Sequence, residues 1–100
     1  MTMDGFVHPP VDVEELLERI EERCKVSLPR PVKEVDYEPS LDLLYIRFRD
    51  PEGIELGEPL CTKAIAAVFY DEKGVTALEI VEFRELLEEL GLLKARVRRV

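Results

Sequence analysis

Hydrophobic positions near the start of the chain recur at helical spacing. Residues 1–11 include Pro9 and Pro10 and predict a flexible arm. After it, apolar side chains alternate with acidic ones at intervals of three and four residues: Val13, Leu16, Leu17, Ile20 and Cys24. This spacing predicts an amphipathic helix of three or four turns. Asp12 can cap its first turn, with Glu15 three residues later completing a capping box.

From residue 32 the hydrophobic period changes from 3.6 to 2, because the prolines at 29 and 31 end the helical pattern. One strand face is predicted to carry Leu44, Ile46 and Phe48, and the other Tyr45, Arg47 and Arg49. A weaker strand at 54–56 is followed by Gly57 and Pro59, which predicts an edge or a bulge. The nearly all-apolar segment 64–70 predicts the centre of the sheet.

The turn at residues 71–74 predicts a hairpin to an antiparallel strand over 75–81, with Gly74 in a conformation that favours glycine. Helical spacing resumes over 83–90, and Gly91 can end that helix. The pattern of 92–100 fits a short strand or a frayed helix. The predicted fold is therefore α+β: a small, mainly antiparallel sheet of four or five strands, an N-terminal helix and a second helix near the C-terminus.

Length and composition favour one folded domain, which we expect to span residues 12–100. One hundred residues, 46% of them hydrophobic, can bury a core despite 36% charged residues. The chain has no Asn, Gln or Trp, while it has 16 Glu and nine Arg. Asn and Gln deamidate at high temperature, and ion-pair networks lose less to desolvation there, so this composition predicts a thermophilic protein.

Charge is distributed unevenly along the chain. All 22 acidic residues precede residue 93, and the net charge is −8. An acidic body repels phosphate backbones, so nucleic-acid binding is disfavoured except through the basic tail, which carries Lys94, Arg96, Arg98 and Arg99. The start lacks the apolar run of a signal peptide, and no segment has the roughly 20 apolar residues of a membrane span, so we expect a cytoplasmic protein without a membrane partner.

The residues that could carry chemistry are few. Asp36, Glu38 and Asp42 could together bind a hard cation or act as acid and base, although an Asx turn at Asp42, bonded to the N–H two residues on, explains that residue without a ligand. His8, the only histidine, lies on the arm, so no serine or thiol can be activated as in a catalytic triad. No cofactor motif is present.

Cys24 and Cys61 lack a CxxC spacing and are expected to be buried free thiols, with a disulfide between them as the alternative.

The segment Tyr37 to Ile46, followed by Tyr70-Asp71-Glu72-Lys73-Gly74 and Leu78-Glu79-Ile80, resembles the small prokaryotic family catalogued as domain of unknown function 2283. The resemblance covers residues 35–83. It implies a compact antiparallel sheet with a packed helix and no accepted enzyme activity, and it favours binding to another protein. The chain departs from the family pattern at Glu38, Phe69 and Ala77, where the family usually has Asp, Asp and Gly.

These observations predict a non-enzymatic interaction module. We expect a homodimer, since twofold assembly is common among small chains and covers sheet edges, with Tyr45, Arg47 and Arg49 as exposed contacts for a protein partner. Two alternatives remain open: nucleic-acid binding through the basic tail, and a metal-dependent enzyme built on the three carboxylates.

Overall fold

The structure, a computed structural model, describes residues 9–92, which form two layers: a five-stranded sheet and two helices. The helices are α1 (Val13–Cys24) and α2 (Phe83–Glu89), and the strands are β1 (Glu34–Glu38), β2 (Leu43–Arg47), β3 (Leu56–Pro59), β4 (Ile65–Asp71) and β5 (Gly74–Val81). The strand order is β1-β2-β5-β4-β3, and every neighbouring pair is antiparallel. This confirms the predicted α+β class.

Helix α1 begins and ends where the sequence indicates. The Asp12 carboxylate accepts a hydrogen bond from the Glu14 N–H, so it satisfies one free donor of the first turn. At the other end Lys25 adopts a left-handed conformation, and its N–H donates to the Glu21 carbonyl. The apolar stripe of the helix is fully buried through Leu16, Leu17 and Ile20. No helix within residues 9–92 has the length and apolar character to cross a membrane.

Both helices pack on the same face of the sheet. Register aligns Leu44, Ile80 and Ala66 in one row across the three inner strands, and Ile46, Leu78 and Val68 in the next. All six side chains are buried, and they form one core with the apolar residues of α1 and α2. At the border of this core the Tyr37 ring meets the Phe83 ring edge-on, with centroids 5.6 Å apart.

The central strand is β5, and the prediction that segment 64–70 forms the centre was wrong. β5 pairs with β2 on one side and β4 on the other, whereas β4 lies next to the edge strand β3. The segment is nearly all apolar because its two faces meet different surroundings. Ala66 and Val68 are buried under the helices, while Ile65 on the opposite face is 59% exposed.

The edge predicted at Gly57 and Pro59 is confirmed, but β3 includes both residues, and of the predicted segment 54–56 only Leu56 lies in it. Pro59 is tolerated because β3 pairs only with β4. The other side of β3 has no neighbouring strand to which a backbone N–H would have to donate. The prediction that Gly91 ends the second helix is also confirmed: Gly91 follows α2 with a φ of +73°.

The central packing row gives a stability prediction. We expect Leu78→Ala to lower the free energy of unfolding by about 2–5 kcal/mol, because Leu78 is fully buried between Ile46 and Val68 and leaves a cavity when truncated. The matched control is Leu41→Ala, at a leucine that is 65% exposed, with an expected loss below about 1 kcal/mol. Urea denaturation measures both, and equal losses would contradict the proposed core.

Candidate functional site

The face of the sheet opposite the helices, here called the open face, carries three rows of side chains fixed by strand register. The first row is Glu38, Leu43, Val81 and Ile65; the second is Asp36, Tyr45, Glu79, Ala67 and Pro59; the third is Glu34, Arg47, Ala77, Phe69 and Gly57. Neither α1 nor α2 lies on this face, since the core they form contains the side chains of the other face.

The open face divides into a polar half and an apolar half. Towards β1 it presents carboxylates, and the polar half is completed by Tyr45, Arg47 and Glu79. Over β5, β4 and the start of β2 it is apolar, with Leu43, Ile65, Ala67, Phe69 and Val81. We call this set the apolar patch. Its members remain partly or well exposed, in contrast to the buried rows on the helix face.

Gly57 has a specific role at the border of the apolar patch. A Cβ atom on Gly57 would lie 2.8 Å from the Phe69 ring, which is inside van der Waals contact. The ring therefore lies directly across the β3 backbone, and glycine is required for that close approach. This contact holds the largest side chain of the patch flat on the sheet.

Tyr45 and Arg47 are on the open face, as the alternation predicts, but Arg47 is already engaged. Its guanidinium lies 5.4 Å from the Tyr45 ring centroid, bonds the Tyr45 hydroxyl and forms a 2.9 Å ion pair with Glu55. The Thr76 hydroxyl also donates to Glu55, and the bonds from Thr76 and then Arg47 lower the pKa of Glu55. Burial in this cluster raises the pKa of Tyr45. Tyr45 and Arg47 therefore form a fixed border of the open face more than a pair of free side chains for contact with a partner.

A β-bulge explains why Thr76 reaches this cluster. Register shifts between Phe69 and Tyr70, so that Ala77 pairs with Phe69 while Val75 pairs with Tyr70. Thr76 is the extra residue, and its side chain reaches Glu55 and Arg47 on the open face. The two-residue alternation of β5 does not reveal this change.

Arg49, proposed from sequence as an exposed contact, is part of an internal ion pair. Its guanidinium binds both carboxylate oxygens of Asp71, and the same carboxylate accepts from the N–H groups of Glu52 (2.7 Å) and Lys73 (2.8 Å). These bonds, that of Arg49 first, hold the pKa of Asp71 well below its usual range. Arg49 and Asp71 thus fasten the loop before β3 to the hairpin between β4 and β5.

The three carboxylates of the predicted metal site are not brought together. Asp36 and Glu38 project from the exposed edge strand β1. The Asp42 carboxylate instead accepts from the Arg84 N–H at the start of α2, at 3.1 Å and 3.3 Å, so the predicted Asx turn was wrong. Among residues 9–92 no group of three His, Cys, Asp or Glu side chains could hold a metal ion.

The other residues predicted from the sequence are those of the two chain ends and the two cysteines. The tail residues Lys94, Arg96, Arg98 and Arg99, as well as most of the N-terminal arm, lie outside the described residues. Both cysteines are free thiols, but Cys61 is exposed and Cys24 is only half-buried, so the prediction that both are buried was wrong.

A cleft of about 620 Å³ lies beside β3, lined by Gly53, Ile54, Leu56, Tyr70, Asp71 and Glu72. Its walls are mainly apolar. Asp71 is the carboxylate of this cleft whose pKa is strongly lowered, and its oxygens accept hydrogen bonds from Arg49 and from two backbone N–H groups. Asp71 is therefore not free to act as an acid or base in this cleft.

Comparison with known proteins gives no further assignment: no protein-family model, no curated protein and no solved structure matches this chain. The resemblance to domain of unknown function 2283 consequently stays a hypothesis based on the residues that carry it. The open face is the feature of the described residues most suited to binding, and sequence alternation identified Tyr45 and Arg47 on it. The cross-strand alignment of the apolar patch could not be identified without the register.

The Asp71 pair gives a prediction with a definite pH dependence. Because the pKa of Asp71 is lower in the folded state, its carboxylate stabilises the protein above the unfolded pKa of about 3.9. That contribution is lost as the pH falls towards the folded-state pKa. We expect Asp71→Asn to lower the Tm by roughly 10 °C at pH 7, with the difference from the unmodified protein shrinking below about pH 4.

Asp50→Asn is the matched control, since Asp50 also has a lowered pKa but pairs with Lys33 at the surface, with 76% of its side chain exposed. A change of less than about 2 °C is expected. Thermal melts followed by circular dichroism between pH 2 and pH 8 measure both variants. A difference at Asp71 that does not depend on pH would contradict the assignment.

Proposed function

We propose that this protein is a non-enzymatic interaction module that forms a homodimer through the apolar patch of its open face. The single observation that carries the proposal is Ile65, an isoleucine in a regular strand that is 59% exposed among further apolar side chains. Scattered exposed apolar residues are ordinary, but a contiguous set on a rigid sheet is typical of an interface.

A second copy of this chain fits the patch because the patch is self-complementary. We place the twofold axis parallel to the strands, above the boundary between β5 and β4. The apolar half of one copy then covers the apolar half of the other, and β1 of each copy stays at the border of the interface. A face five strands wide and three rows long measures roughly 24 by 20 Å. Its projected area of about 480 Å² is below the roughly 800 Å² that each partner buries in a standard interface, so the face would make a small interface.

The acidic border supports pairing of faces over pairing of edges. β1 is an edge strand and presents Glu34, Asp36 and Glu38 at every second position. Two β1 strands placed side by side would bring like charges opposite each other, which disfavours edge-to-edge association. In the face-to-face arrangement the same carboxylates remain in water.

The inventory of reactive groups supports a non-enzymatic role. The only histidine of the sequence is His8, outside the described residues, and the only serines are Ser27 and Ser40. Two carboxylates with clearly shifted pKa values are bonded to fixed donors within the chain: Glu55 through its Oε2 atom, and Asp71 through both of its oxygens. Such groups stabilise loops and are poorly placed to exchange protons with a substrate.

The test compares two exposed isoleucines. We expect the unmodified protein to be a dimer at micromolar concentration, and Ile65→Glu to weaken dimerisation at least about 100-fold, because a carboxylate would be buried in an apolar interface. Ile54→Glu is the matched control: Ile54 is 83% exposed but lies in the cleft beside β3, away from the apolar patch. Sedimentation equilibrium gives the dissociation constants.

Far-UV circular dichroism and thermal melts must show that both variants keep the fold. A monomeric unmodified protein at about 100 μM would overturn the proposal. So would a dimer that Ile54→Glu disrupts and Ile65→Glu does not.

A further inference from the structure

Cys24 and Cys61 lie far apart in the sequence but meet at one corner of the fold. Cys24 is the last residue of α1, and Cys61 lies in the loop between β3 and β4. The Cys61 Sγ is 3.6 Å from the carbonyl oxygen of Arg23, the neighbour of Cys24 in the helix. Because Arg23 directly precedes Cys24, the Cys61 sulfur lies beside the residue that carries the second thiol.

Glu89 holds this corner together. Its carboxylate, only 8% exposed, accepts from the N–H groups of Lys63 (2.9 Å) and Ala64 (3.3 Å) and forms a 2.9 Å ion pair with Arg23. One side chain of α2 thus binds both the residue before Cys24 and the loop that contains Cys61. The segments that carry the two thiols are therefore held next to each other by bonds to Glu89.

We propose that Cys24 and Cys61 are a disulfide-forming pair, oxidised by thiol–disulfide exchange with a low-molecular-weight disulfide. In the first step the Cys61 thiolate attacks one sulfur of that disulfide, forms a mixed disulfide and releases one small thiol. In the second step the Cys24 thiolate attacks the Cys61 sulfur and releases the second small thiol. Two protein thiols are oxidised and one small disulfide is reduced, so the electrons balance.

The exposure of the two sulfurs determines the order of the steps. Cys61 is exposed and can meet a small disulfide, whereas Cys24 is partly covered. Burial, with the neighbouring Cys61 as the next cause, raises the pKa of Cys24 to about 11. Because only the thiolate attacks, ring closure should be the slow step at neutral pH and should accelerate up to about tenfold per pH unit in the alkaline range.

The bond would connect the end of α1 to the strand least supported by the rest of the fold. β3 is four residues long, exposed throughout and paired on one side only. A cross-link from Cys24 to Cys61 also closes a long loop in the unfolded chain, which removes conformational entropy from that state. The oxidised form should therefore be the more stable one, with a Tm higher by about 10–20 °C. This inference is independent of the proposed dimer.

The experiment equilibrates the full chain with mixtures of reduced and oxidised glutathione at pH 8, in buffer and in concentrated urea. We expect mass spectrometry of peptides under non-reducing conditions to show Cys24 linked to Cys61. The effective concentration of one thiol relative to the other should be at least roughly 100-fold higher in the folded protein than in urea. The reason is linkage: if the disulfide stabilises the fold, the fold must favour formation of the disulfide to the same extent.

Two single variants test the roles of the sulfurs. Cys24→Ser should stop at the glutathione adduct of Cys61, and Cys61→Ser should react at least about tenfold more slowly, because its remaining thiol is covered. Bonds between chains, adducts on both cysteines without a linked peptide, or an effective concentration no higher than in urea would each overturn the proposal. The comparison with urea uses the unmodified chain, so it does not depend on whether a variant folds.

Discussion

The packing of both helices on one face of a sheet centred on β5 is the constraint on which the rest of the structure depends. Leu78 and Ile80 of β5 lie between the corresponding side chains of β2 and β4, and α1 and α2 close over these rows. Two short helices can cover one face of a five-stranded sheet but not two. The open face is therefore a direct consequence of having one core in a chain of this size.

Several acidic residues act in this fold as acceptors for backbone N–H groups of distant segments. Asp71 binds the loop before β3 and the hairpin after β4, Glu89 binds the loop after β3, and Asp42 binds the start of α2. Ionised carboxylates make strong bonds to such donors, so each holds two distant segments together. The oxygens used in this way already have backbone donors, and among residues 9–92 no group of three His, Cys, Asp or Glu side chains could hold a metal ion.

The open face is the surface on which the proposed dimer is based. Its apolar patch lies on regular strands, with the Phe69 ring held flat over Gly57, so binding costs little ordering entropy. Its polar half carries the carboxylates of β1 and the fixed pair of Tyr45 and Arg47. The division of one face into these halves favours association in a defined orientation, and it places the charged edge in solvent.

The sequence by itself determined the elements and their faces. Helical spacing located α1 and α2, and period-two alternation placed Leu44 and Ile46 opposite Tyr45 and Arg47, because these patterns depend only on local geometry. Tertiary structure alone decided that β5 is central, that Arg49 is bound to Asp71, that Asp42 caps α2 and that Cys24 meets Cys61. Each of these depends on strand order or on a contact between residues distant in the chain, and spacing along the sequence does not encode which distant segments become neighbours.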